Sequence, residues 1–182
     1  MKKEQNWISL FNMPGINLIN AGINGDTTSG MLARLKYHVE ESSPDFILIT
    51  GGINDFISGS GTDIPQNNYM SMIHQSAAWR VFPIIGIAPA FDCDNVRSDW
   101  ASFCDFREVE KKHLALRKWL HSFAKTFHVP CLDFYEGLEK LSAENVKNTD
   151  ESLYIDGIHM TARGHKLIAG IAEEKLKKLF TR

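Results

Sequence analysis

Four short apolar runs stand out along the chain, each nearly continuous instead of alternating: 16–20 (Ile-Asn-Leu-Ile-Asn), 46–50 (Phe-Ile-Leu-Ile-Thr), 81–87 (Val-Phe-Pro-Ile-Ile-Gly-Ile) and 129–133 (Val-Pro-Cys-Leu-Asp). A strand of a parallel sheet is covered by helices on both faces, so it reads as a short unbroken apolar run, and these four are predicted to be such strands. Between them the period becomes helical. Met31, Leu35 and Val39 recur four apart within 30–41, and Asp63-Ile64-Pro65 marks the start of a second helix. Leu116, Leu120, Phe123 and Phe127 line one face of 107–127, and a last helix from Thr161 presents Leu167, Ile168, Ile171 and Leu176. Alternation of strand and helix predicts an α/β fold with a parallel sheet and right-handed crossovers. The least regular stretch, 89–105, is a candidate active-site loop.

Composition narrows the function more than the fold. At 182 residues, 43% hydrophobic and 23% charged, the chain is the size of one globular domain spanning 1–182, and it can bury a core without metal or disulfide staples. Twenty basic and 22 acidic residues leave a net charge of -2, with no electrostatic footprint for nucleic acid or anionic lipid. Small neutral or weakly charged ligands are expected instead, and nothing points to a cofactor. Three cysteines, Cys93, Cys104 and Cys131, lack the spacing of a zinc or redox motif and fit a reduced, cytoplasmic protein. No apolar run approaches the ~18 residues of a membrane span, and no signal-peptide hydrophobic region follows Met1.

In open parallel sheets, ligands bind beyond the carboxyl ends of the strands. Three polar clusters fall there: 20–27 (Asn-Ala-Gly-Ile-Asn-Gly-Asp-Thr), 51–55 (Gly-Gly-Ile-Asn-Asp) and 156–159 (Asp-Gly-Ile-His). Asp156 and His159 are separated by Gly157 and Ile158, so a tight turn can set the carboxylate against one imidazole nitrogen while the other faces a pocket, as an orienter and a base. The plainer alternative is a helix-capping Asp156 beside a polar loop histidine. Asn54 follows two glycines and can donate its amide to an oxyanion, or merely close an Asx-turn. The Gly25 amide allows the same choice, because Asn24-Gly25-Asp26 is also a good turn sequence.

Together and in this order, the three clusters resemble conserved blocks of the SGNH (GDSL-like) serine hydrolases. Residues 20–28, with Leu32-Ala33-Arg34-Leu35 after them, look like the second block. Gly51-Gly52-Ile53-Asn54-Asp55 resembles the third, and Asp156-Gly157-Ile158-His159 with 161–165 (Thr-Ala-Arg-Gly-His) resembles the last. The resemblance implies a flavodoxin-like three-layer α/β/α sandwich and hydrolysis of carboxylic esters, thioesters or O-acetyl sugars through an acyl-enzyme. It also implies that Gly25 and Asn54 act as oxyanion donors, His159 as general base and Asp156 as its partner.

The family's first block, a strand leading into a Gly-Asp-Ser turn, has no counterpart in the sequence. Asn6-Trp7-Ile8-Ser9-Leu10-Phe11 matches the helix that usually follows it. The expectation is therefore a longer native polypeptide whose additional strand lies centrally in the sheet, with Met1 an internal methionine. No other nucleophile is convincing: Ser9 lies in a helical pattern, Ser58 and Ser60 sit in a glycine-rich loop, and Cys93 has no neighbouring histidine or cation to activate it. The alternative reading is a catalytically dead module that binds acylated glycans or lipids. A flavodoxin-like nucleotide binder lacks the glycine-rich phosphate loop, and a metal site at Asp156 and His159 lacks further ligands nearby in sequence.

Overall fold

A computed structural model describes residues 6–145 and 152–180, with side chains described throughout except at 140–145. The elements run α1 (Trp7–Leu10), α2 (Thr28–Ser42), β1 (Phe46–Thr50), α3 (Ile53–Ile57), α4 (Asp63–Ala78), β2 (Phe82–Ile87), α5 (Ser98–Ala101), α6 (Phe106–Phe127), β3 (Cys131–Asp133), α7 (Phe134–Asn145) and α8 (Ala162–Phe180). Their contacts divide the chain into two compact units: Ala21–Ala88 with Ser102–Leu132, and Met1–Asn20 with Pro89–Ala101 and Asp133–Arg182. The expectation attached to Met1 lies outside the described residues.

The first unit carries most of the sheet, whose strand order is β1-β2-β3. β1 and β2 pair in parallel from Phe46↔Phe82 to Thr50↔Gly86, and β3 is reached by the Ile85 N–H donating to the Pro130 carbonyl at 2.8 Å. This is the α/β architecture with a parallel sheet that the continuous apolar runs predict. Position 86 has no room for a side chain, since a Cβ there would lie 1.9 Å from Thr50 Oγ1. Tyr69 of α4 is fully buried, takes the Gly51 N–H at 2.9 Å and donates to the Gly86 carbonyl at 3.1 Å. Its hydroxyl thereby fastens the strand ends from which the Asn54 loop departs. α6 begins at Asp105, whose carboxylate accepts the Arg107 N–H at 2.9 Å. It buries Val109, Leu116, Leu120 and Phe123 at helical spacing, and Leu116 closes on Gly52, where a Cβ would lie 2.6 Å from its Cδ2.

In the second unit α8 packs on α1 and α7. Gly137 of α7 makes this close, because a Cβ there would come within 2.8 Å of Ile171, and the Trp7 ring lies 5.7 Å from that of Phe134. α7 has no counterpart in the hydrophobic pattern, although its N-terminal signal is present: Asp133 accepts the Glu136 N–H at 2.9 Å, half of a capping box. Both ring nitrogens of His165 on α8 are buried without a hydrogen-bond partner among the described residues, and burial pushes its pKa below the usual histidine range. The sign follows: the unfolded chain binds this proton more readily. Stability is therefore expected to be full above about pH 6.5 and to fall as the pH drops below it. Urea titrations of wild type and His165→Gln across pH 7 to 5 check this, with the variant showing the flatter dependence.

One predicted strand is absent. Residues 16–20 enter no ladder among the described residues, and Ile19 is 62% exposed. An apolar run becomes a strand only where a neighbour accepts its backbone groups, and the sheet described here runs only from β1 to β3.

Candidate active site

The turn 153–161 is closed from both sides. Tyr154 and Met160 form an antiparallel bridge, the Ile155 N–H donates to the His159 carbonyl at 2.8 Å, and the Thr161 N–H donates to the Leu153 carbonyl at 2.9 Å. Inside it, Asp156 Oδ1 accepts the backbone N–H groups of His159 at 2.8 Å and Ile158 at 3.1 Å, while Oδ2 lies 2.8 Å from His159 Nδ1. A carboxylate can only accept, so Nδ1 carries the proton and Nε2 is left with a lone pair. The Asp156 side chain is buried whereas that of His159 is 53% exposed. The result is an imidazole fixed through Nδ1 on a ring more than half exposed.

Burial alone would raise the Asp156 pKa. The hydrogen bonds from the His159 backbone, the His159 ring and the Ile158 backbone outweigh it and bring the pKa to about 2, from an ordinary 3.8. Because the folded value is the lower one, the stabilisation, about 2 kcal/mol, is present above pH 3.8 and is lost as the pH falls through about 2. Denaturant unfolding at pH 6, 3 and 2 is expected to show this loss in wild type and a weaker pH dependence in Asp156→Asn.

The turn is also clasped by the irregular loop 90–101. The Asp92 N–H donates to the Gly157 carbonyl at 2.7 Å and the Arg97 N–H to the Asp156 carbonyl at 3.0 Å. The Tyr154 hydroxyl donates to the Ala90 carbonyl at 2.6 Å. Gly157 has φ +84, and a Cβ there would lie 2.7 Å from the Val96 backbone. Gly157→Ala is therefore expected to cost at least about 2 kcal/mol, from left-handed strain and backbone overlap together. Chemical denaturation would register it as a lowered midpoint. The Trp100 ring, carried by α5, sits 5.7 Å from the His159 ring at an interplanar angle of 50°.

In the other unit, the Gly25 and Asn54 loops are tied to one another. Asn54 lies in the first turn of α3, and its Nδ2 donates to the Asp26 carbonyl at 2.9 Å, leaving the second amide hydrogen without a partner among the described residues. Gly25 adopts φ +76 with open space where a Cβ would stand, a conformation glycine tolerates. Arg34 of α2 holds this loop at two points, through Nε to Asp26 Oδ2 at 2.8 Å and through NH1 to the Ala21 carbonyl. Below the loop, the buried Asp55 carboxylate accepts the Thr28 N–H at 2.9 Å and its hydroxyl at 2.6 Å, and Asn68 donates to Thr28 Oγ1 at 2.9 Å.

The sequence-predicted residues thus fall into two pairs, Asp156 with His159 and Gly25 with Asn54, each brought together within its own unit. Sequence alone gives no role to Tyr154, places Thr28 and Arg34 only within the run 20–35, and reads Gly157 only as part of the tight turn between Asp156 and His159. Among the described residues no cluster of three or more His, Cys, Asp or Glu side chains is placed to hold a metal ion, and no helix is long and apolar enough to cross a membrane.

Comparison with known proteins gives these pairs a context. The chain is 34% identical to an arylesterase of Vibrio mimicus over 79 residues, 40% of each protein. It is 25% identical to the uncharacterized lipoprotein YqeF of Bacillus subtilis (strain 168) over 91% of this chain and 77% of that protein. The chain thus matches well under half the length of the arylesterase. Among solved structures, a member of the lipolytic protein G-D-S-L family from Veillonella parvula DSM 2008 superposes with a TM-score of 0.76 at 20% identity, covering all of this chain and 91% of that one. The sequence model of the GDSL-like Lipase/Acylhydrolase family matches residues 5–167, and the chain belongs to that family.

Proposed function

We propose that this protein hydrolyses small carboxylic esters through an acyl-enzyme. The observation that carries the reading is the Asp156–His159 pair. Its buried carboxylate lies 2.8 Å from Nδ1 of an imidazole that is more than half exposed, which supports a ring that takes a proton from a hydroxyl nucleophile and returns it to the leaving alcohol. The Gly25 amide and the spare Asn54 amide hydrogen are the proposed donors to the tetrahedral oxyanion, each worth about 3 to 4 kcal/mol in the transition state. The name of the Vibrio relative, an arylesterase, supports the ester class, and thioesters and O-acetylated sugars fall within the same chemistry. No metal or cofactor takes part in the proposed steps.

The nucleophile is proposed to be a serine, as in the family the sequence resembles. Ser9 Oγ donates to the Asn6 carbonyl at 2.8 Å and Ser58 Oγ to the Asn54 carbonyl at 2.8 Å, so these two hydroxyls satisfy local helix ends instead of standing on an exposed elbow. That observation also favours a second reading, a module that binds an acylated glycan or lipid without turning it over. Rapid mixing with p-nitrophenyl acetate separates the two. A stoichiometric burst of nitrophenol followed by steady turnover supports the acyl-enzyme, and saturable binding with no release of nitrophenol supports the binding module.

A further inference from the structure

Resting on that ester-hydrolase reading, we propose that Trp100 is a specificity-determining residue that forms the wall of the leaving-alcohol subsite and selects esters of flat, aromatic alcohols. Acid catalysis fixes where the alcohol must be. When the tetrahedral intermediate collapses, the C–O bond to the alcohol breaks, its electron pair stays on the alkoxide oxygen, and the proton held on His159 Nε2 passes to that oxygen. The oxygen must come within hydrogen-bond reach of Nε2, so its substituent lies against whatever flanks the imidazole. The flanking group is the Trp100 ring, 5.7 Å away and inclined at 50°. Ile155, 62% exposed, stands on the same turn.

Trp100 does not reach this position by chance collapse of a loop. Its helix follows directly on Arg97, whose N–H is bound to the Asp156 carbonyl, and the Ala101 N–H donates back to the Arg97 carbonyl at 3.0 Å. Gly157 lets the Val96 backbone approach closely enough to seat the loop. The turn carrying the base and the loop carrying the indole are joined backbone to backbone, so the ring is preorganised over the imidazole before any ester arrives. An indole presents a broad apolar face, best matched by another ring in offset or tilted contact.

The test uses three esters, benzyl acetate, ethyl acetate and benzyl butyrate, with wild type, Trp100→Ala and Trp100→Leu. Wild type is expected to favour benzyl over ethyl acetate. Trp100→Ala should lower kcat/KM for both benzyl esters about tenfold while changing ethyl acetate less than about twofold, with Trp100→Leu between them. Trp100→Leu keeps apolar bulk and decides the matter should the alanine variant unfold. An equal fall for all three esters would overturn the proposal, since it would mean that the indole only supports His159. A preference that changes with the acyl chain instead of the alcohol would overturn it as well. Failure of wild type to hydrolyse any of the three would overturn the ester-hydrolase reading itself, a result distinguishable from either of these.

Discussion

Replacing His159 by alanine is expected to lower kcat for ester hydrolysis by about 10,000-fold or more while leaving the protein folded. In the proposed mechanism the base that deprotonates the nucleophile and the acid that protonates the leaving alcohol are the same imidazole, so one deletion would remove both transfers. The fold survives because the ring is more than half exposed and makes one side-chain hydrogen bond, to Asp156 Oδ2, while Oδ1 keeps both of its backbone donors. The expected loss of stability is about 1 kcal/mol. Steady-state kinetics together with a thermal melt check the pair of expectations. A variant that retained turnover would remove His159 from the mechanism.

Asn54→Ala is expected to lower kcat about 100- to 1,000-fold with KM nearly unchanged, the signature of a donor that acts on the developing oxyanion and not on the bound ester. The side chain has a second task, because its Nδ2 also holds the Asp26 carbonyl at 2.9 Å. Part of the loss therefore arises from the Gly25 loop, which depends on that tie and on Arg34 for its position. In Asn54→Asp both donations are lost as well, because a carboxylate only accepts. This variant keeps the size of the side chain but puts a negative charge where the oxyanion forms, so it is expected to be slower than the alanine variant. Substrate binding measured with a non-hydrolysed ketone analogue should be little affected in Asn54→Ala.

How far these residues could be read from sequence depended on how local their geometry is. β1, β2 and α6 were legible because one run of residues contains the whole signal, an unbroken apolar strand or a repeat such as Leu116, Leu120 and Phe123 on one face, although Phe127, read as the next member of that repeat, is exposed. The run 16–20 is also largely apolar, with two asparagines, but strand formation is a property of a pair, and no neighbour for it can be read from five residues. α7 was missed because its helix starts directly from β3 with no intervening turn residues, although Asp133 and Glu136 hold the capping signal. At the site, Asp156 and His159 were legible because three residues of separation with an intervening glycine allow their contact within one tight turn. The clasp that holds them was not. It joins Tyr154 to Ala90 and Gly157 to Asp92, segments far apart in sequence whose bonds are largely made by backbone atoms that any residue carries. Arg34 lies between these cases: its position was noticed, but its partners, a carboxylate eight residues back and the carbonyl of Ala21, appear only once α2 is folded.

The proposed chemistry rests on a serine activated by His159, which intact mass spectrometry of the protein purified from its source, before and after a fluorophosphonate probe, would reveal. One adduct per chain, mapped to a serine, is expected, with no adduct over the same interval in a His159→Ala variant made in the same background. Absence of an adduct in wild type, or labelling of the two forms at equal rates, would rule out a serine activated by His159.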